Sequence, residues 1–175
     1  ALNNVGTAEQ WNQPQRGRER LDRSLEIALS NDFQEHAARS YTNRGCFEVN
    51  QQCYQEALRF LDLGITYCIE RDLDTWRDYM RGWSAEARIR LGDWDLAAEE
   101  ALRVVVNDRA AALVRFPAVL ALAQLRTRRG DPDCESLLVE LARFLEDGME
   151  LQRFAPYASL MAERAWLGLA DTDEA

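Results

Sequence analysis

The sequence predicts an all-α fold, an α-solenoid of about nine antiparallel helices. Three observations point there. Small and apolar residues recur in a fixed helical spacing about every forty residues. Apolar residues between those copies also fall three and four apart, as on one face of a helix. Only 9 Gly and 4 Pro occur in 175 residues, too few for the closely spaced turns of a β sandwich.

Taken in chain order, the first pair joins a segment at Leu2-Asn3-Asn4-Val5-Gly6 to one marked by Gly17, Leu21 and Ser24. The second joins Tyr41-Thr42-Asn43-Arg44-Gly45 to Tyr54–Gly64, where Ala57, Leu61 and Gly64 stand four and then three apart. In the third, Trp76, Met80, Trp83, Ala87 and Leu91 share a helical face, and Ala97, Ala101 and Val104 follow forty residues after the second copy. The fourth runs from Pro117 to Arg129 and on to Cys134, Leu138 and Leu141, after a step of 37. Pro156 to Leu169 opens a fifth pair. Pro117 and Pro156 both suit the first turn of a helix, where a missing N–H costs nothing. The turns agree: Leu91-Gly92-Asp93-Trp94 and Arg129-Gly130-Asp131-Pro132 put Gly where a helix ends and Asp as cap of the next. Asn31-Asp32, Arg71-Asp72 and Asn107-Asp108 punctuate the ends of the second helices. The expected organisation is one repeat domain over 1–175, with units near 1–31, 32–71, 72–108, 109–148 and a partial 149–175. Ala1-Leu2-Asn3-Asn4 already reads as helix interior, so the chain is expected to be a segment of something longer.

Composition narrows the function. A net charge of −9 argues against nucleic acid, whose phosphates favour a basic face. All 21 basic residues are Arg, consistent with a GC-rich bacterial genome or with carboxylate recognition by guanidinium forks. No apolar run approaches the ~20 residues of a membrane span, so no membrane partner is expected. Cys46, Cys53, Cys68 and Cys134 lack CxxC spacing and read as small buried hydrophobes in a reducing cytoplasm. The one His, His36, has no ligand partners at metal spacing. No nucleophile–His–acid order and no phosphate-cradling Gly loop appears, so neither catalysis nor a cofactor is expected. Acid pairs such as Glu99-Glu100 read as solvated surface, because a catalytic carboxylate needs an apolar pocket.

With its small and large residues at these positions, the pattern resembles the tetratricopeptide repeat (TPR). The second unit matches that family's positions with Tyr41, Gly45, Ala57, Leu61 and Gly64; the third supplies Ala85, Ala97, Ala101 and Val104, and Gly92-Asp93-Trp94-Asp95 is similar to its GDY turn. Ile69 stands where the family has Pro, and the units run 37–40 residues, longer than usual. Longer units of this sort resemble the helical arms of bacterial LuxR-family and ATPase-type transcription regulators. The resemblance implies a right-handed superhelix whose first helices line a concave face. Carried over by position, that face holds Asn3, Asn4 and Thr7, then Arg39, Thr42, Asn43, Cys46 and Asn50, then Tyr79, Gly82, Trp83, Glu86 and Arg90, then Arg126 and Gln124, and finally Ser159, Glu163 and Trp166.

Asn43 resembles the asparagine that grips a ligand backbone in peptide-binding members, and Asn4 stands at the equivalent place one unit earlier. A carboxylate clamp is disfavoured, because Tyr79 and Trp83 occupy positions that would need to be basic. The resemblance thus implies a non-catalytic scaffold that takes a peptide or a domain, another domain of the same parent chain included. The alternative is a ligand-sensing arm of a regulator, with Tyr79 and Trp83 bordered by Arg39, Glu86 and Arg90. The last helix, with Leu160, Trp166 and Leu169, is expected to leave an apolar face open for homodimerisation.

Overall fold

The structure, a computed structural model, describes residues 1–107, 109–131, 134–146 and 151–169, with the backbone alone for 151–153. Among these residues it is all-helical: α1 (Leu2–Ala8), α2 (Pro14–Ser30), α3 (Gln34–Asn50), α4 (Tyr54–Ile69), α5 (Asp74–Leu91), α6 (Trp94–Val105), α7 (Ala112–Arg129), α8 (Glu135–Glu146) and α9 (Leu151–Trp166). No described helix is long and apolar enough to cross a membrane.

Each helix packs on its chain neighbours, and each odd-numbered helix also packs on the next odd one. Among the described residues, no helix touches another more than two places along the chain. The recurrent small and apolar residues explain how. Leu21, Ala57, Leu61, Ala97, Ala101, Val104, Cys134, Leu138 and Leu141 are all buried. Gly64 is there because a Cβ in its place would stand 2.5 Å from the sulfur of Met80 on α5. Removing apolar area from water drives this packing, and the small residues let the backbones approach closely enough to leave no void.

The core divides into two clusters that meet on α5. Met80 and Ala87 turn toward Leu25, Phe60, Leu61 and Cys68. Ala85 and Ile89 turn toward Val104, Phe116, Leu120, Leu141 and Leu160. A buried ionic network ties α2 to α3. The Glu48 carboxylate accepts Arg18 Nε at 2.7 Å and Arg18 Nη2 at 2.9 Å, and also accepts Arg44 Nη1. Arg44 Nε donates in turn to Asp22 at 2.7 Å.

Several local expectations are corrected. Pro117 and Pro156 lie inside α7 and α9, several residues past the first turn. A proline there removes one helical hydrogen bond, yet the Pro117 ring has a dedicated place. It packs where α5 has Gly82, at which a Cβ would stand 2.9 Å from Pro117 Cγ and 2.7 Å from the Ala118 nitrogen. Gly92 and Gly130 do end α5 and α7 in the left-handed conformation, at φ +84° and +72°. Asp93, however, does not cap α6 with its side chain; it pairs with Arg88 at 3.4 Å. The corresponding turn after α3 has no glycine, and Gln52 adopts φ +59° there. Asp32 and Asp72 take the same conformation after α2 and α4, at +52° and +55°. Cys68 and Cys134 are buried as expected, but Cys46 is half-buried and Cys53 is exposed. The turn residues Asp108 and Pro132 lie outside the described residues.

Candidate functional site: a polar and aromatic face on the odd helices

Residues forty apart in the first two units, one place off the offset that relates Asn4 to Asn43, stand side by side, and their amides bond across the gap. Asn43 Nδ2 donates to Asn3 Oδ1 at 3.0 Å, and Asn50 Nδ2 donates to Gln10 Oε1 at 3.1 Å. Gln51 Nε2 closes the ladder on the Gln10 carbonyl at 3.0 Å. Asn4 accepts Arg39 Nη2 at 2.7 Å. The two asparagines expected to hold a ligand backbone therefore already hold neighbouring side chains. Thr42 is buried, and its hydroxyl donates to the Ala38 carbonyl at 2.9 Å, so it offers nothing to a molecule approaching α3. Gly82 is likewise occupied by the Pro117 contact.

Two shallow hollows flank this ladder and share Asn4 and Arg39 as lining. One, of about 330 Å³, is completed by Asn3, Ser24, Phe33 and His36. The other, of about 460 Å³, is completed by Thr7, Gln10, Trp11 and Asn43. Gln10 and Trp11 are residues that sequence reading missed. The same spacing that relates Asn3 to Asn43 relates Gln10 to Asn50 and would have found the first of them.

On α5 the expected residues do share one side. Tyr79 and Trp83 meet edge to face, with ring centroids 6.3 Å apart. Trp83 also leans on the cluster that contains Leu61 and Met80. Arg90 Nε donates to Glu86 Oε1 at 2.8 Å. Burial pulls the Arg90 guanidinium down, but the Glu86 charge, with weaker help from Tyr54 and Glu163, holds it above its ordinary value. Glu163 of α9 in turn accepts Arg128 Nε and Nη2 of α7 at 2.7 and 3.1 Å. Arg126 stands half-buried on α7. Acidic and basic groups thus alternate from α5 to α9.

Among the described residues, four polar atoms on α5 and α7 are closed off from solvent and make no hydrogen bond: Arg81 Nε, which lies 3.2 Å from Glu100 Oε2 in an ion pair, and Trp83 Nε1, Glu86 Oε2 and Gln124 Oε1. Gln124 as a whole is only 4% exposed. Burying such groups without partners costs on the order of 1–3 kcal/mol each, so each calls for an explanation. Compared with known proteins, the chain matches no family model, no curated protein and no solved structure.

Proposed function

We propose that this chain is a non-catalytic scaffold of the tetratricopeptide kind, a cytoplasmic solenoid that takes a peptide or a protein domain along its odd-numbered helices. Packing restricted to near neighbours supports the solenoid reading, since stacked repeats touch only adjacent units. The observation that carries the binding reading is the row Tyr79, Trp83, Glu86 and Arg90 on one side of α5, where two part-exposed rings stand beside an ion pair that reaches solvent. A peptide amide donates through its N–H and accepts through its C=O, and the Tyr79 and Trp83 rings offer an apolar bed for the side chain beside it.

The test is selection of random linear peptides on the immobilised protein, with affinities measured by calorimetry. Trp83→Ala removes one of the two rings and is expected to weaken selected peptides by roughly tenfold or more, a loss of at least about 1.4 kcal/mol. Peptides that bind native protein, Trp83→Ala and Glu86→Gln equally well would refute the site. A second reading, a sensing arm for a small molecule, draws on the hollow at Asn4, His36 and Arg39. Its volume of about 330 Å³ falls at the lower end of the ~300–1,000 Å³ of small-ligand sites.

A further inference from the structure

Among the described helices only α7 and α8 pack on α9, which leaves one side of it open. Leu160 is fully buried, and Tyr157 and Met161 pack beside it on the core. The face expected from sequence to centre on Leu160 is therefore turned inward. Opposite it lie Ala155, Ala158, Ala162 and Ala165, flanked by Phe154 at 45% and Trp166 at 86% exposure. Trp166 is held there by a well-formed helix end. The Gly168 N–H bonds to Ala165 O at 3.1 Å, the Leu169 N–H bonds to Arg164 O at 2.9 Å, and Gly168 has φ +71°. That paired arrangement is a Schellman motif.

These residues are symmetric about Leu160. Phe154 and Trp166 lie equally far on either side of it, as do Ala155 and Ala165, and Ala158 and Ala162. At 3.6 residues per turn, all six fall within one strip on the side opposite Leu160. Reversing the helix end for end maps that strip onto itself, aromatic onto aromatic and alanine onto alanine. A self-complementary patch of this kind is what a two-fold interface requires.

We infer that α9 pairs antiparallel with α9 of a second copy of this chain. Phe154 of one protomer meets Trp166 of its partner at each end, and the four alanines of each helix pack backbone to backbone between them. The contact continues one already present within the chain. On α7 the positions 39 residues before Ala155 and Ala162, Phe116 and Ala123, face α8: the Phe116 ring stands 6.4 Å from that of Phe144, and the Ala123 carbonyl accepts Cys134 Sγ at 3.5 Å. In the dimer the partner's helix takes the place on α9 that α8 takes on α7. With aromatic side chains carrying ~150–250 Å² each, Phe154 and Trp166 leave about 280 Å² of ring exposed per copy. Doubled and joined by the alanine strip, this approaches the order of 1,000 Å² at which specific interfaces begin.

The experiment is the mass of the full chain by light scattering and sedimentation at about 100 µM, a hundredfold above a micromolar Kd. The expected result is twice the 20.1 kDa of one chain. Ala155→Glu and Ala165→Arg each put a charge on an exposed position of the strip, so each alone should be monomeric with an unchanged helical circular dichroism spectrum. Mixed in equal amounts they should recover a dimer, because antiparallel pairing sets the carboxylate introduced at position 155 of one protomer against the guanidinium introduced at position 165 of its partner. A monomeric native chain would overturn the pairing and leave the strip to some other helix. Dimers that survive both substitutions would move the interface elsewhere, and a mixture that stays monomeric would refute the antiparallel register.

Discussion

Glu48→Ala is the perturbation whose cost follows most directly from the structure. The residue is 1% exposed, its carboxylate answers two guanidinium groups, and Arg44 beside it is 5% exposed. Removing the carboxylate leaves Arg44 buried with the exposed Asp22 as its acidic partner, and leaves Arg18 held over the Phe47 ring without the carboxylate it grips. Breaking one side of a buried ion pair costs about 3–5 kcal/mol, because the remaining charge stays desolvated. Against a typical stability of roughly 5–15 kcal/mol that is a large fraction. The comparison that isolates the cause is Glu48→Leu combined with Arg44→Leu. It deletes more polar contacts, yet it removes both buried charges from α3, so it should cost less than Glu48→Ala alone.

Urea unfolding followed at the helical circular dichroism band reads both variants. Burial pushes the Glu48 carboxyl up, but the hydrogen bonds from Arg18 and the charge of Arg44 outweigh it and hold the group below the ordinary carboxylate range. A depressed folded value contributes stability that is present above the unfolded pKa of about 4.3 and is lost as pH falls through the folded value. The gap between native protein and Glu48→Ala should therefore be widest near neutral pH and narrow in acid. A loss under about 1 kcal/mol for Glu48→Ala, or a double variant that costs more than the single one, would refute this account of the network.

Gly45→Ala should destabilise by about 1–3 kcal/mol, since its Cβ would stand 2.5 Å from Cδ2 of the fully buried Leu61; thermal unfolding checks it. Gln52→Gly should stabilise by up to about 1 kcal/mol, because a side chain at φ +59° carries left-handed strain that glycine does not; the same melts measure it. A disulfide-exchange reagent at pH 8 should label one thiol rapidly in the native chain, the exposed Cys53, and four after denaturation. Burial pushes the Cys68 thiol up to about 11 and that of Cys46 higher still, so neither supplies thiolate at that pH.

Helices and their recurrent buried residues were legible because both are periodic. A spacing of four then three marks a helical face, and its return after forty residues marks the next copy. Gly92 and Gly130 were legible as helix ends for the same local reason, the ease with which glycine turns left-handed. What escaped depends on contacts across the fold. Nothing near Gln52 announces that it takes the conformation glycine takes in later turns. Pro117 reads as a helix start, and only the space that Gly82 leaves on α5 shows how α7 holds it within a helix that begins at Ala112. Thr42 and Asn43 are adjacent in sequence, yet the 100° step between them buries one and sets the other against Asn3. Tyr79, Trp83, Glu86 and Arg90 were found together because their spacing keeps them on one side of α5. The unpartnered state of Trp83 and Gln124 is a property of what surrounds them and has no signature in the chain.

The meeting of the two core clusters on α5 makes that helix a hinge of cooperativity. Clusters that share one helix can open one at a time, the N-terminal half through α2–α4 or the C-terminal half through α6–α9. Amide exchange should then be slowest in α5, which opens only when both halves do, and should quicken toward either end. Whatever settles on Trp83 and Glu86 grips the one element common to both halves, and so would slow exchange in α5 itself while leaving each half free to open alone.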